Sequence, residues 1–114
     1  MPHVPLDQLT FAAFQALLNT RFRVSPGPAI SVELELVEAT ATTDAGRRGS
    51  AASGYEYFSL VFSGPASQPL AQRMYSFEHE KVGTFDLFIV PIAAEQGRIR
   101  YQAVFNRPLP PPKP

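Results

Sequence analysis

The sequence contains no cysteine. The chain can therefore form neither a disulfide nor a thiolate metal site, and it is compatible with a reducing cytoplasm. It also has no apolar run near the ~20 residues that a membrane-spanning helix needs. The first five residues lack the basic start and the continuous apolar core of a signal peptide. Together these absences predict a cytoplasmic protein.

An excess of charge of either sign is also missing, because Lys and Arg total 10 and Asp and Glu total 10. Proteins bind nucleic-acid phosphates and anionic membrane surfaces through clustered positive charge. We therefore expect neither nucleic acid nor a membrane as a partner. With 114 residues, of which 45% are hydrophobic and 18% charged, the chain is long and apolar enough for one globular domain.

Proline is abundant, with 12 residues, and it is concentrated at the C-terminus. Residues 108–114 predict an extended polyproline II tail, since proline has no N–H group for a helix or a sheet ladder. The globular domain is then residues 1–107. Such a tail can dock onto a partner, and we predict an interface at Pro108, Leu109, Pro110, Pro111 and Pro112.

The N-terminal segment predicts one amphipathic helix. The side-chain oxygen of Asp7 or of Thr10 can accept a hydrogen bond from the first turn, and Asn19 or Thr20 is the predicted end. Apolar side chains at spacings of three and four residues form one stripe. They are Leu6, Leu9, Phe11, Phe14, Leu17 and Leu18.

Alternating polar and apolar residues, bounded by Gly and Pro, predict β-strands in the rest of the chain. The alternation changes phase at Leu36-Val37, which predicts a β-bulge or a barrel corner. Phe88 and Val90 make one segment apolar on both faces, so that strand is predicted to be central or covered by the helix, and Pro91 is predicted to end its pairing. The predicted strands are residues 21–24, 30–36, 55–63, 73–79, 84–92 and 98–106.

One helix followed by about six strands predicts a mainly β, α+β fold. A flat sheet of this size would expose its edges, so we expect a small antiparallel six-stranded barrel or a strongly bent sheet, capped by the N-terminal helix. The barrel, with the helix as its plug, is favoured. Residues 42–54 have three glycines and no large apolar side chain, which predicts a long hairpin loop.

His79 is the first candidate for chemistry, because it lies between Glu78 and Glu80. A histidine in such a setting can act as a general base or as a metal ligand. The chain has one other histidine, His3, and no second ligand stands at a metal-like spacing. We interpret His79 as a histidine at a strand end whose imidazole hydrogen-bonds a backbone group.

The carboxylates in the strands predict no catalytic pair. Glu33 and Glu35 lie on one solvated strand face and are interpreted as solubility charges. Asp86, within an apolar strand, is predicted to be either exposed or ion-paired with Arg98 or Arg100 across the sheet.

Two further motifs lack the features of a site. Ser59 has no Gly-x-Ser-x-Gly turn around it, and residues 46–49 (Gly-Arg-Arg-Gly) are too short for a phosphate loop and contain no lysine. A nucleic-acid-binding tip is the weaker alternative for these two arginines. We predict no catalytic, cofactor-binding or metal-binding residue and therefore no enzyme.

The aromatic residues at strand spacing are predicted to fill the core through cross-strand contacts. The alternatives are the lining of a ligand cavity and a base-stacking surface. These residues are Tyr55, Tyr57, Phe58, Phe62, Tyr75, Phe77, Phe85, Phe88, Tyr101 and Phe105.

Four stretches of the strand region resemble, in order and spacing, the DUF6916 family of bacterial domains of unknown function. They are Phe58–Pro65, Tyr75–His79, Gly83–Pro91 and Tyr101–Asn106, and the resemblance covers nearly the whole chain. Where the family pattern has a proline after the histidine, this chain has Glu80. The resemblance implies no catalytic residues, and it implies a neighbourhood with phage-tail-like or tail-collar proteins.

The expected function is that of a non-enzymatic structural or interaction protein. It would be a component or assembly partner of a larger bacterial, phage-tail-like complex, through a protein partner or self-assembly, with open sheet edges and the proline tail as contacts. The alternative is a small-ligand-binding barrel with an aromatic-lined cavity beneath the helix. An enzyme that uses His79 with Glu78, Glu80 or Asp86 is a remote third interpretation.

Overall fold

The computed structural model describes residues 9–41 and 55–108. The predicted loop at 42–54 and the tail residues Leu109, Pro110, Pro111 and Pro112 lie outside this part of the chain. Within it the elements are α1 (Phe11–Gln15), β1 (Arg21–Gly27), β2 (Ile30–Ala41), β3 (Tyr55–Pro65), β4 (Arg73–His79), β5 (Gly83–Glu95) and β6 (Arg98–Pro108).

The strands form a closed antiparallel barrel in the order β1-β2-β3-β6-β5-β4. Pairing between β1 and β4 closes it, with Arg23 opposite Glu78 and Val24 opposite Phe77. The predicted barrel is thus confirmed, and the open bent sheet is not formed. Closure also removes the terminal strands of a sheet, so the expectation that open sheet edges supply contacts is wrong for the strands described.

The helix α1 begins at Thr10, one of the two predicted N-caps, and ends early; Asp7, the other, lies outside the described residues. Thr10 is its N-cap, and the Thr10 hydroxyl oxygen accepts a hydrogen bond from the Ala13 N–H at 3.1 Å. After Gln15 the chain tightens, with the Leu17 N–H donating to the Phe14 carbonyl, and Asn19 adopts a φ of 67° that stops a helix. No helix in residues 9–41 and 55–108 is long and apolar enough to span a membrane.

Phe14 makes α1 the plug of the barrel. Its side chain is fully buried, and its ring lies 6.1 Å from that of Phe58, 6.0 Å from Phe85 and 5.6 Å from Phe105. These three rings belong to β3, β5 and β6. Since a helix of one or two turns has little stability of its own, this packing holds it in place.

The inward-facing side chains of all six strands form one core with the helix. The prediction that the strand aromatics fill the core is confirmed for most of them, whereas Tyr57 is only half-buried. The buried members are Phe58, Phe62, Tyr75, Phe77, Phe85, Tyr101 and Phe105.

The strand β5 pairs with β4 on one side and β6 on the other, as a central strand does, but the predicted covering of its outer face by the helix is wrong. Phe88 is 46% exposed and Val90 is half-buried, so the helix does not cover this outer face. The reason is that α1 covers one end of the barrel, where it inserts Phe14, and does not lie along the outer wall. Pairing also continues past Pro91, because the β5–β6 register shifts between Pro91 and Ala93 and the strand runs on to Glu95.

Several predicted features of the strands are confirmed, and some strands are longer than predicted. The phase change in β2 is a register shift between Leu36 and Glu38. The strand β6 runs to Pro108, which lies opposite Tyr55, because a proline at a strand end need not donate to the ladder. Gln96 and Gly97 both have positive φ, 50° and 78°, as the two-residue turn between β5 and β6 requires.

Tyr101 ties the β3–β4 connection to the core, and its replacement is the first testable prediction. The Tyr101 hydroxyl is buried and accepts a hydrogen bond from the Leu70 N–H at 2.9 Å. Tyr101→Phe leaves this N–H without an acceptor, so we expect the free energy of unfolding in urea to fall by about 1–3 kcal/mol.

Tyr75→Phe is the matched control, because the Tyr75 hydroxyl donates to the Ala71 carbonyl at a position only partly buried. Water can reach that carbonyl, and the loss should be smaller. An equal loss in both variants, or unchanged exchange of the Leu70 amide in Tyr101→Phe, would contradict the assignment.

Candidate functional site

An open cleft of about 340 Å³ lies beside the end of β4. The strand β1 runs between β2 and β4, and alternation along β1 points Arg21 and Arg23 outward and Phe22 into the core. The cleft is lined by Thr20, Arg21, Phe22, Arg23, Glu33, Glu78, His79, Glu80 and Lys81.

The charges in this cleft balance one another. Arg21 pairs with Glu33 at 3.4 Å between largely solvated side chains, and Arg23 pairs with Glu78 at 3.7 Å, where the Glu78 side chain is 33% exposed. Surface pairs of this kind contribute about 0.2–1 kcal/mol each. Since Lys81 is matched by Glu80 in the adjoining turn, the cleft has no excess charge to attract an anion or a cation.

His79 forms one wall of the cleft but is itself only 3% exposed. Its Nδ1 accepts a hydrogen bond from the Lys81 N–H at 3.1 Å, which confirms the predicted bond to a backbone group. The network therefore places the proton on Nε2, which donates to the Thr20 hydroxyl at 2.9 Å. The Thr20 hydroxyl in turn donates to the Leu17 carbonyl at 2.6 Å.

Burial lowers the pKa of His79 below its usual 6.5, because the charged form loses its hydration. The Glu80 carboxylate opposes this shift and Lys81 adds to it, both more weakly. Near neutral pH the imidazole is uncharged, and both ring nitrogens are engaged. No lone pair of the ring is then available to take a proton from a molecule in the cleft.

Asp86 is placed by the structure away from the arginines predicted to bind it. It is exposed and lies opposite Ser76. Arg98 donates to the Ser63 hydroxyl, and Arg100 lies 3.6 Å from a Glu95 oxygen. The predicted ion pair is wrong and the exposed alternative is confirmed, because the β5–β6 register begins only at Val90, four residues beyond Asp86.

The remaining candidates do not converge on one point. Glu33 reaches the cleft of His79, whereas Glu35 and Ser59 are half-buried on strands β2 and β3 and do not line it. Within the described residues, no three His, Asp or Glu side chains are grouped so as to hold a metal ion. The arginines of residues 46–49 lie outside this part of the chain.

The interior beneath the helix is filled with aromatic rings. The Phe58 and Phe105 rings stack with centroids 4.3 Å apart, and Phe14 packs on both. Further along the same core, the Phe22 ring lies edge-on to that of Phe62 at 5.4 Å. The aromatic side chains thus pack against one another where the alternative interpretation places a ligand.

The outer wall of the barrel carries exposed apolar side chains, whose exposure could not be recognised from the sequence. Met74 on β4 and Phe88 on β5 are register partners and are 57% and 46% exposed, and Val104 on β6 is 70% exposed. We call these three side chains the outer apolar patch. The available signal was the two-sided apolar pattern of β5, which predicted a strand that is central or covered by the helix.

The described residues define a class of protein: a closed six-stranded antiparallel β-barrel, plugged by a short N-terminal helix and bearing a charge-balanced cleft at one end. A family model described as "Domain of unknown function (DUF6916)" matches residues 9–105. The chain belongs to the DUF6916 family, which confirms the resemblance seen in the sequence. Searches of curated proteins and of solved structures give no match.

Proposed function

We propose that this barrel is a non-enzymatic interaction domain that assembles through the outer apolar patch, as a component of a larger bacterial complex. The observation that carries the proposal is the exposure of Met74, Phe88 and Val104 on the three neighbouring strands β4, β5 and β6. Large apolar side chains grouped on the surface of a soluble domain mark contact sites. The phage-tail-like context and the cytoplasmic location stay predictions.

The occupant that we propose for the outer apolar patch is a second copy of the chain. The formal net charge is zero, so two copies approach without long-range repulsion. A two-fold axis through the patch would bring the same apolar side chains of both copies together, which is the arrangement of most homodimers. The other occupant, a different protein, is an outcome of the test below.

Two features support the non-enzymatic part of the proposal. Both ring nitrogens of His79 are held in hydrogen bonds to Thr20 and Lys81, so this histidine, which lines the cleft, is not free to act as a base. The packing of Phe14 on Phe58 and Phe105 occupies the place where a small-ligand barrel needs its cavity.

Phe88→Glu is the variant that tests this surface. Burying a carboxylate against an apolar face is strongly unfavourable, so we expect self-association to weaken roughly 100-fold or more. Light scattering after size-exclusion chromatography, over a wide range of concentrations, measures it. The unaltered chain should have the mass of two or more copies, and Phe88→Glu the mass of one.

Ile92→Glu is the matched control. Ile92 lies on the same strand with nearly the same exposure, 48%, but within the register shift between Pro91 and Ala93 and about 13 Å from Phe88 along the strand. Equal dissociation of both variants would contradict the proposed surface. A single-copy mass of the unaltered chain at every concentration would overturn self-assembly. If a host protein is then retained by the unaltered chain and by Ile92→Glu but not by Phe88→Glu, the occupant is that protein.

A further inference from the structure

Thr20 joins three parts of the barrel. Its N–H donates to the Leu17 carbonyl at 3.2 Å, and its own carbonyl accepts a hydrogen bond from the Leu36 N–H of β2 at 3.1 Å. Its hydroxyl oxygen accepts a hydrogen bond from the Nε2–H of His79 on β4, and the hydroxyl donates to the Leu17 carbonyl. The hydrogen bond between the Thr20 and His79 side chains thus links the segment after α1 to the end of β4.

Only one protonation state of His79 fits this junction. The Lys81 N–H can only donate, so Nδ1 must keep its lone pair. A second proton on the ring would sit on Nδ1 and face the Lys81 N–H, and two donors repel. The charged ring would also be 3% exposed and 4.6 Å from the Phe22 ring, where water cannot solvate it well.

The charged groups around the imidazole offer it no bonded counterion. Arg21 and Arg23 of β1 are paired with Glu33 of β2 and Glu78 of β4, and Glu80 and Lys81 of the following turn act in opposite directions. Within the described residues, the hydrogen bonds of the ring go to Thr20 and to the Lys81 backbone and not to a carboxylate.

We propose that His79 is an acid-sensitive link. In its neutral form it holds the chain between α1 and β1 to the β4–β5 turn. The Nε2–H of the charged ring could still donate to Thr20, but repulsion at Nδ1 and the buried charge favour rotation of the ring into the adjoining cleft, and this rotation breaks both bonds. The plug helix then loses its side-chain attachment to β4, while the backbone bonds of Thr20 to Leu17 and Leu36 remain. Mild acid therefore loosens one end of the barrel without unfolding its wall.

The direction of the pH effect follows from the pKa. The folded pKa of His79 is lowered below 6.5, so the unfolded chain binds the proton first as the pH falls. The stability contributed by the neutral ring is complete above about pH 6.5 and is lost as the pH falls through the folded pKa.

Hydrogen exchange of the unaltered protein tests the proposal without a substitution. Between about pH 7.5 and about pH 5, after correction for the intrinsic rate, we expect the protection of the Lys81 amide to fall at least about tenfold. The Leu60 amide, in the middle of β3, exchanges only on global unfolding, so at about pH 5 it should remain far more protected than the Lys81 amide. Constant protection of Lys81 would overturn the proposal, and so would equal protection of Lys81 and Leu60 at about pH 5, which would mean that both amides exchange by global unfolding.

Thr20→Val supplies the second measurement, because valine keeps the shape and removes the hydroxyl. At neutral pH its urea midpoint should lie below that of the unaltered chain, and in mild acid this gap should close, since protonation has already broken the link. His79→Gln, which cannot titrate, should remove the pH dependence of the gap.

Thr40→Val is the control, since Thr40 is an exposed threonine on β2 and its effect should not depend on pH. A gap for Thr20→Val that is the same at both pH values would overturn the link. These measurements concern one end of the barrel and do not depend on the outer apolar patch.

Discussion

Replacing Phe14 by alanine is expected to lower the free energy of unfolding by about 3–5 kcal/mol. The Phe14 ring is fully buried and touches the rings of Phe58, Phe85 and Phe105. The alanine would leave a cavity between three strands that are hydrogen-bonded to their neighbours and cannot collapse into it. Denaturation in guanidinium chloride, followed by far-ultraviolet circular dichroism, measures the change.

The loss in the free energy of unfolding caused by Phe14→Ala should be larger than any stability that α1 has as an isolated helix. Because α1 spans only Phe11–Gln15, the residue stabilises the fold by filling the barrel and not by promoting the helix. Gln15→Ala, at the exposed neighbouring position, is the control and should change stability by no more than about 0.5 kcal/mol. A loss for Phe14→Ala as small as that of the control would contradict the plug.

Phe22→Ala is the second change with a large expected effect, again about 3–5 kcal/mol. Phe22 lies in the same core, and its ring contacts Phe62 at 5.4 Å, Phe85 at 6.1 Å and the His79 imidazole at 4.6 Å. Its loss therefore empties the space beside the buried histidine as well as the core. Urea unfolding at neutral pH measures the loss of stability.

The same variant should also change the response to acid. Removing the Phe22 ring admits water to the imidazole, and the burial that lowers the pKa of His79 is reduced. The drop in stability between about pH 7.5 and about pH 5 should then be smaller than in the unaltered chain. Phe22→Leu keeps most of the volume, so it should lose less than about 1.5 kcal/mol and retain the acid response. An undiminished acid response in Phe22→Ala would contradict the role of burial.

The local elements were predictable because their signals are local. Alternation with a period of two located all six strands, Thr10 stood at the spacing of an N-cap, and the phase change at Leu36 marked the bulge. The ends of elements were less predictable. The apolar stripe continues past Gln15 to Leu18, but the backbone there turns toward β2, where the Asn19 N–H donates to the Leu36 carbonyl.

The bonding partners and the exposure of the candidate residues were harder to predict from the sequence. The backbone bond of His79 was predicted, whereas its bond to Thr20 joins residues 59 positions apart and has no local signal. The partners of Arg98 and Arg100 depend on a β5–β6 register that shifts at Pro91. Phe88 shows the same limit, because an apolar outer face in the sequence does not say whether anything covers it.

By itself the sequence determined the strands and the rings that face inward, because period-two alternation decides which side chains share a face of a strand. It also determined the family, through the order and spacing of the four matching stretches. Only the tertiary structure decided that β1 closes on β4, that the helix covers one end of the barrel with Phe14 inserted, and that His79 is neutral with its proton on Nε2. These features depend on contacts between distant residues. Closure of the barrel, burial of the side chains and the position of the His79 proton depend on which residues from other strands lie opposite, and no local sequence pattern contains that information.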